Sequence, residues 1–316
     1  MERTVTISVG IIGFGTIGQR IYQALSKHSS FHVSCVYDSD LEKLKALDSG
    51  TDALSSPDEM FTRSDVDLVY VGTPPASHID YCYKAIEAKK AIWVEKPLAV
   101  DIEAAEKLVE DVEKSGLPAV VNLPGAASPS LDTLKLLLSD IPQEEIENVE
   151  MQIHFSQWPR KWQENASSWL SLKEQGGFLR EVVTHFFFMH QRLLGSMTLE
   201  NAEVNYPDDR SSETFVNADY LSGNIPVRLE ASSDVVAEDY LEWKLTGKHK
   251  SIRELNWRMI EVKEGDTWKE VTVNGEHQYL SELIKLMAGE KNKLATLREA
   301  LEVQKMIERT LAEGDT

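Results

Sequence analysis

The chain has 316 residues, 42% of them hydrophobic and 27% charged, with a formal net charge of −19. That length and composition suit a globular protein with two cores, and so acidic a balance excludes nucleic acid and anionic membranes as partners, because both need basic patches. No apolar run approaches the ~18 residues that span a bilayer, and the direct passage into "VTISVGIIGFG" leaves no room for a cleaved leader.

The first 123 residues alternate β-rich runs ("TISVGIIGF", "HVSCVYD", "DLVYVGT", "AIWVE", "AVVNL") with helical patterns ("TIGQRIYQALSK", "LEKLKAL", "SHIDYCYKAIEAK", "DIEAAEKLVEDVEKSG"). In the last helix Asp101 is the expected N-cap and Gly116 lies just past the end. Continuous apolar strands alternating with helices predict a doubly wound parallel sheet covered on both faces. Cys35 and Cys82 fall inside these elements at no metal-ligand spacing, so buried free thiols in a reducing, cytoplasmic setting are expected.

Beyond residue 123 the pattern changes. A helix at about 130–139 precedes "VEMQIHF", a Trp-rich connection and one helical stretch from about 177 to 194. Then come "NAEVNY", "TFVNADYL", "PVRLEAS", "YLEWKLTG", "SIRELNW", "RMIEVKE" and "WKEVTV", separated by turn residues without intervening helices, which predicts an antiparallel sheet. Two helices, about 276–289 and 295–312, close the chain. The expected domains are 1–123 and 124–316, with the terminal amphipathic helix able to pack back on the first.

"GIIGFGTIGQR" places Gly13, Gly15 and Gly18 in G-x-G-x-x-G spacing after a strand and at the opening of a helix. Such a turn brings backbone close to a pyrophosphate, with Thr16 and Ile17 in the first helical turn and the helix N–H groups facing the anion. Asp38, 20 positions beyond Gly18, ends "HVSCVYD", where a carboxylate accepts from the adenosine ribose hydroxyls. No Arg stands at 39 or 40, which favours NAD over NADP, although Ser39 and Lys43 could hold a 2′-phosphate.

In an open parallel sheet ligands bind outside the carboxyl ends of the strands. The glycine turn, Asp38, "GTPPASH" (72–78), "EKP" (95–97) and "NLPG" (122–125) all directly follow predicted strands and so share one sheet edge. An isolated lysine on a loop reads as solvated. In this company Lys96 is the candidate that meets the reacting carbon's oxygen, with Pro97 restricting its backbone.

"GFGTIG", "TPPASH", "EAKKAIWVEKPLA" and "GGFLREVVTH", in this order and spacing, resemble the signature regions of the glucose–fructose oxidoreductase and inositol dehydrogenase (Gfo/Idh/MocA) family, and the C-terminal "AGEKNKLATLREALEVQKMIERTL" resembles its last helix. The resemblance implies a Rossmann domain joined to an α/β domain with a large, mostly antiparallel sheet, NAD(P)-dependent redox chemistry on polyols or sugars, and a homodimer or homotetramer assembled through the open face of that sheet. It implies cofactor contacts from Thr73, Pro74, Pro75, His78, Glu95 and Lys96, with Lys96 between cofactor and substrate.

The family's frequent Asp–His pair appears as Glu181 and His185, four apart on one helical face. His185 stands at the catalytic position the resemblance implies, with Glu181 as its partner. The stretch after the sixth strand keeps Asn122 but lacks the expected Arg, and the Gly before the EKP strand is replaced within Lys89–Lys90. "FSQWPRKWQENASSWL" supplies Arg160 and Trp162 as a candidate substrate rim beside Asn122. His154, His190 and Glu181 could be assembled on paper as a metal site, but nothing in their spacing fixes one, and no metal is expected. The leading expectation is hydride transfer between nicotinamide and a carbonyl or hydroxyl carbon of a polyol, sugar-like or hydroxy-acid substrate; a non-catalytic NAD(P) sensor and a cofactor-assisted lyase or hydrolase stand as alternatives.

Overall fold

The computed structural model describes residues 6–234 and 236–314. The lead-in behind the expectation about a leader, residues 1–5, lies outside them. The chain folds as two compact units, Met1–Pro124 with Gln278–Leu301, and Gly125–His277 with Glu302–Thr316.

In the first unit β1 (Ile7–Ile12), α1 (Thr16–Ser26), β2 (Phe31–Tyr37), β3 (Asp52–Ala53), α2 (Pro57–Thr62), β4 (Leu68–Val71), α3 (His78–Glu87), β5 (Ala91–Val94), α4 (Ile102–Ser115) and β6 (Ala119–Val121) follow in order, with α8 (Tyr279–Met287) joining from the far end of the chain. The strands form one parallel sheet in the order β3-β2-β1-β4-β5-β6. Strands β4 and β5 are buried along their whole length, as a sheet covered on both faces demands. Asp101 caps α4 by accepting from Ala104 N at 3.1 Å, and Gly116 closes it in the left-handed conformation. Lys89, within the pair that replaces the family's Gly, likewise takes a positive φ of 55° just past α3.

Two local expectations are corrected here. "LEKLKAL" forms only a short 3-10 turn, Lys43–Ala46, too brief to amortise helix nucleation. The pattern also missed α2, a six-residue helix set by a capping box between Ser56 and Glu59 with Pro57 at its first position.

The second unit carries α5 (Pro129–Leu138), β7 (Ile146–Phe155), α6 (Ser167–Leu170), α7 (Thr184–Leu194), β8 (Thr198–Asn205), β9 (Phe215–Ser222), β10 (Ile225–Ser233), β11 (Tyr240–Gly247), β12 (Lys250–Leu255), β13 (Met259–Glu264) and β14 (Thr267–Val271). A last helix, α9 (Leu297–Glu313), closes the chain. The eight strands order as β14-β13-β12-β11-β7-β10-β9-β8. All pairs are antiparallel except β7 with β10, which the period-2 pattern could not reveal. One face holds Val149, Met151, Ile153, Leu229, Ala231, Trp243 and Leu245, all fully buried. The opposite face carries ion pairs, Lys244–Glu150 and Arg253 with Glu242 and Glu261.

The stretch predicted as one helix from 177 is a π-helical turn, Leu179–Val183, leading into α7. Its cause is at the start. Gly177 has φ 103°, a Cβ there would meet the Glu213 carboxylate, and that carboxylate accepts from Leu179 N at 2.8 Å. The run "SIRELNW" also ends as a strand at Leu255, because Asn256 and Trp257 both turn at positive φ.

Candidate functional site

In the first unit the site is built from turns at strand ends. Gly13 has φ 95°, and a Cβ on it would strike the carbonyl of Gly72 at 2.4 Å; one on Gly18 would strike the carbonyl of Gly13 at 2.1 Å. A Cβ on Gly15 would meet nothing within 4 Å, and Gly15 caps α1 without any side-chain hydrogen bond. Two glycines are thus consumed by packing, while the third leaves open space before a helix start whose N–H groups await an anion. Half-buried Thr16 and Ile17 flank that start.

Asp38 is buried at the end of β2 and accepts from Phe14 N (2.6 Å), Asp40 N (2.9 Å) and Lys43 Nζ (3.1 Å). It therefore locks the glycine turn, and of about four acceptor positions on a carboxylate it keeps one for a ribose hydroxyl. These residues fit a dinucleotide: open backbone donors for its pyrophosphate and a carboxylate beside them. Lys43 weakens the repulsion a 2′-phosphate would meet.

His78 was expected to contact the cofactor, and this is corrected. It is 0% exposed, with Nε2 2.7 Å from the Thr73 carbonyl and Nδ1 3.0 Å from that of Pro97. Burial lowers its pKa against the opposing pull of those carbonyls. A neutral imidazole has one N–H, which donates to one of these carbonyls while the other nitrogen lies against the second, so His78 is wedged between the Thr73–Pro74–Pro75 turn and the Glu95–Lys96–Pro97 turn. Thr73 Oγ1 pairs with Ser77 Oγ at 2.7 Å, Pro75 is buried and Pro74 exposed.

Glu95 is likewise buried. Its Oε1 accepts from Tyr70 Oη (2.7 Å) and Asn122 Nδ2 (2.5 Å), its Oε2 from Lys96 N (3.3 Å). Glu95 and Asn122 therefore join the ends of β4, β5 and β6, one N–H of the Asn122 amide being given to Glu95. Half-buried Lys96 is held at the rim of this network, its peptide to Pro97 being cis.

In the second unit the candidate residues stand on a helix face. From Gly176 to His190 all side positions are buried except Arg180, Glu181 and His185. Arg180 is tied by two bonds to Glu308 and two to the carbonyls of Lys173 and Gly176. Glu181 and His185 remain as the half-buried pair. Gln163, missed by sequence reading, connects them to the predicted rim: Nε2 donates to Glu181 Oε1 (3.2 Å) while Oε1 accepts from Arg160 Nε (3.1 Å). Its only sequence signal was its place three residues after Arg160. Burial lowers the Arg160 pKa, with Glu181 and Asp239 opposing. The guanidinium lies over the rings of Trp162 and Phe155, 5.0 and 5.5 Å from their centroids.

His185 meets Trp257 edge to face at 5.9 Å, and the same indole packs on Phe186 at 4.1 Å. A left-handed conformation costs a residue with a Cβ roughly 1–2 kcal/mol, so Trp257 is held against a gradient.

The other histidines lie elsewhere. His154 pairs with Ser232 on the opposite sheet face, and His190 sits in the core with no partner for either nitrogen among the described residues, its pKa pushed down by burial to about 4. Among the described residues no group of three or more His, Cys, Asp or Glu side chains is placed to hold a metal ion.

Comparison with known proteins matches residues 7–123 to the family described as "Oxidoreductase family, NAD-binding Rossmann fold" and residues 140–313 to "Oxidoreductase family, C-terminal alpha/beta domain". An inositol 2-dehydrogenase of Arthrobacter sp. is 38% identical over 117 residues, covering 36% of this chain and 35% of its own length. A 2,7-anhydro-N-acetylneuraminate hydratase of Escherichia coli is 29% identical over 111 residues, 35% of this chain and 30% of its own. The chain thus matches about a third of the length of these curated relatives. In fold, a 3-ketoreductase from Actinomadura kijaniata, solved with NADP and TDP-benzene, superposes with a TM-score of 0.85 over 98% of both chains at 17% identity. The first unit is an NAD(P)-binding Rossmann domain.

Proposed function

Since the chain belongs to the Gfo/Idh/MocA oxidoreductase family, we propose that it moves hydride between a nicotinamide dinucleotide and a carbinol or carbonyl carbon of a small polyol, sugar-like or hydroxy-acid substrate. The observation that carries this reading is the pair of strand-end turns: His78 lies between the Thr73 and Pro97 carbonyls, and Glu95 accepts from Tyr70 Oη and Lys96 N, setting Lys96 in the same unit as a glycine turn open to an anion. Gly13, Gly15 and Gly18 with Thr16 and Ile17 hold the pyrophosphate and Asp38 the ribose. Nicotinamide, when bound, supplies or accepts the hydride.

The protein's residues do the rest. Lys96 stabilises negative charge developing on the substrate oxygen. His185 takes the hydroxyl proton in oxidation and returns it in reduction, an imidazole being suited to both near neutral pH. Glu181, steadied by Gln163, favours the imidazolium. Arg160 and Trp162 form the substrate rim.

Buried free thiols at Cys35 and Cys82, the latter pushed up by burial to about 12, suit a cytoplasmic setting, and no helix among the described residues is long and apolar enough to cross a membrane. We also assign assembly as a homodimer or homotetramer to the ion-paired sheet face.

The test is a panel of cyclic alcohols, open-chain polyols, sugars and hydroxy acids offered with NAD or NADP, following reduced dinucleotide. Net reduction with any class supports the reading. Conversion of substrate without net reduction favours instead a lyase or hydratase, the reading the Escherichia coli relative supports, and absence of any conversion with tight dinucleotide binding favours a sensor.

A further inference from the structure

The turn between β12 and β13 carries a residue that its backbone does not want. Arg258 N donates to the Leu255 carbonyl at 3.0 Å, closing a four-residue turn whose central residues, Asn256 (φ 50°) and Trp257 (φ 61°), are both left-handed. This is the type I′ geometry, in which Asn suits the first position and Gly the second. Here the second position holds Trp, whose Cβ is crowded at positive φ.

The turn is not free to relax. Asn256 N donates to the Leu241 carbonyl at 2.8 Å, and Leu241 N donates to Asn256 Oδ1 at 3.0 Å, so Asn256 is stitched to β11 from both sides. The indole is thereby laid on Phe186 at 4.1 Å and against His185 at 5.9 Å with the ring planes at 85°. Even so, 39% of Trp257 stays exposed. A residue wanted only to fill the core would be covered; one wanted only for the turn would be glycine. Backbone outliers kept in this way concentrate at binding sites.

We infer that Trp257 is a specificity-determining residue, its indole serving as the platform on which the C–H face of a saturated, hydroxylated ring lies while a rim hydroxyl reaches His185. Such a ring has the needed shape: hydroxyls around its edge, and a face of C–H bonds that an electron-rich indole attracts and that loses water on contact. An open-chain polyol presents no such face. The inference rests on the assignment of His185 as the proton-transfer group.

The test compares the unmodified protein with W257G and W257F, using myo-inositol and D-glucose as ring probes and D-sorbitol and glycerol as open-chain probes, each with NAD and NADP. Glycine suits the turn, so W257G removes the indole while keeping the hairpin, and W257F keeps an aromatic face; thermal midpoints verify folding. W257G is expected to raise KM for the ring probe about tenfold with kcat and the dinucleotide KM little changed, the pattern of lost binding common to ground and transition states. W257F stays within about threefold, and open-chain KM values hardly move. Equal effects on ring and open-chain probes, or none on either, overturn the inference while leaving the oxidoreductase reading intact. Turnover of open-chain probes or hydroxy acids alone does the same, whereas turnover of no compound in the wider panel of cyclic alcohols, polyols, sugars and hydroxy acids by the unmodified protein removes the reading and the inference with it.

Discussion

The strand-end turns of the first unit and the helix face of the second are two different ways of holding reactive groups. In the first, tight turns at strand ends do the holding: glycines approach carbonyls, His78 lies between two turns, and Glu95 accepts from Tyr70, Asn122 and the Lys96 amide. In the second, side chains from distant segments converge on Glu181 and His185: Gln163 donates to Glu181, and Trp257 meets His185 edge to face. A backbone-built site tolerates little change in sequence spacing. A side-chain-built one can be refitted residue by residue, which under the proposed function suits the first to cofactor binding and the second to substrate choice.

The sharpest break of this comparison is His185→Asn. Turnover is expected to fall by about 10²–10⁴-fold, the range for losing a general acid–base, with loss of the acidic limb of the oxidation rate profile and unchanged NAD binding by fluorescence titration. An unchanged profile would leave Lys96 as the proton carrier.

Next comes Lys96→Met, expected to lower kcat by about 10²-fold or more with far less change in dinucleotide affinity. Near-normal turnover would make it an ordinary loop lysine. Asp38→Ala should weaken NADH about tenfold, the scale for a charged hydrogen bond, and NADPH less; unmodified protein that already prefers NADPH would contradict the ribose role.

The smallest effect concerns stability. Burial raises Glu254 to about 7 from an ordinary 4.5. Between those values the folded protein keeps a proton that the unfolded chain releases, so the group's contribution is full below about pH 4.5 and is lost as pH rises through 7. Glu254→Gln should therefore raise the thermal midpoint above about pH 8, by up to ~3 kcal/mol of stability, and barely change it near pH 4.5.

The contrast also explains what could be read in advance. The place of Gly13, Gly15, Gly18, Asp38 and Lys96 at strand-end turns was legible because backbone turns impose fixed spacing on a parallel sheet. His78, Glu95 and Asn122 were legible as positions but not as roles, since only packing reveals that their polar atoms are spent on other strands. Gln163's spacing from Arg160 gave no hint of its bond to Glu181, 18 residues on, and the Asn256–Trp257 turn hides its positive φ behind a sequence that reads as strand. The π-helical start of the site depended on Glu213, a carboxylate 34 residues away.

The most direct measurement uses NADH or NADPH carrying deuterium on the transferable C4 position, with the carbonyl form of whichever substrate the panel identifies. The account predicts one deuterium on the product's carbinol carbon per dinucleotide oxidised, at a rate that falls with Lys96→Met and His185→Asn while binding persists. Product formed without deuterium, or with the dinucleotide unconsumed, would contradict it.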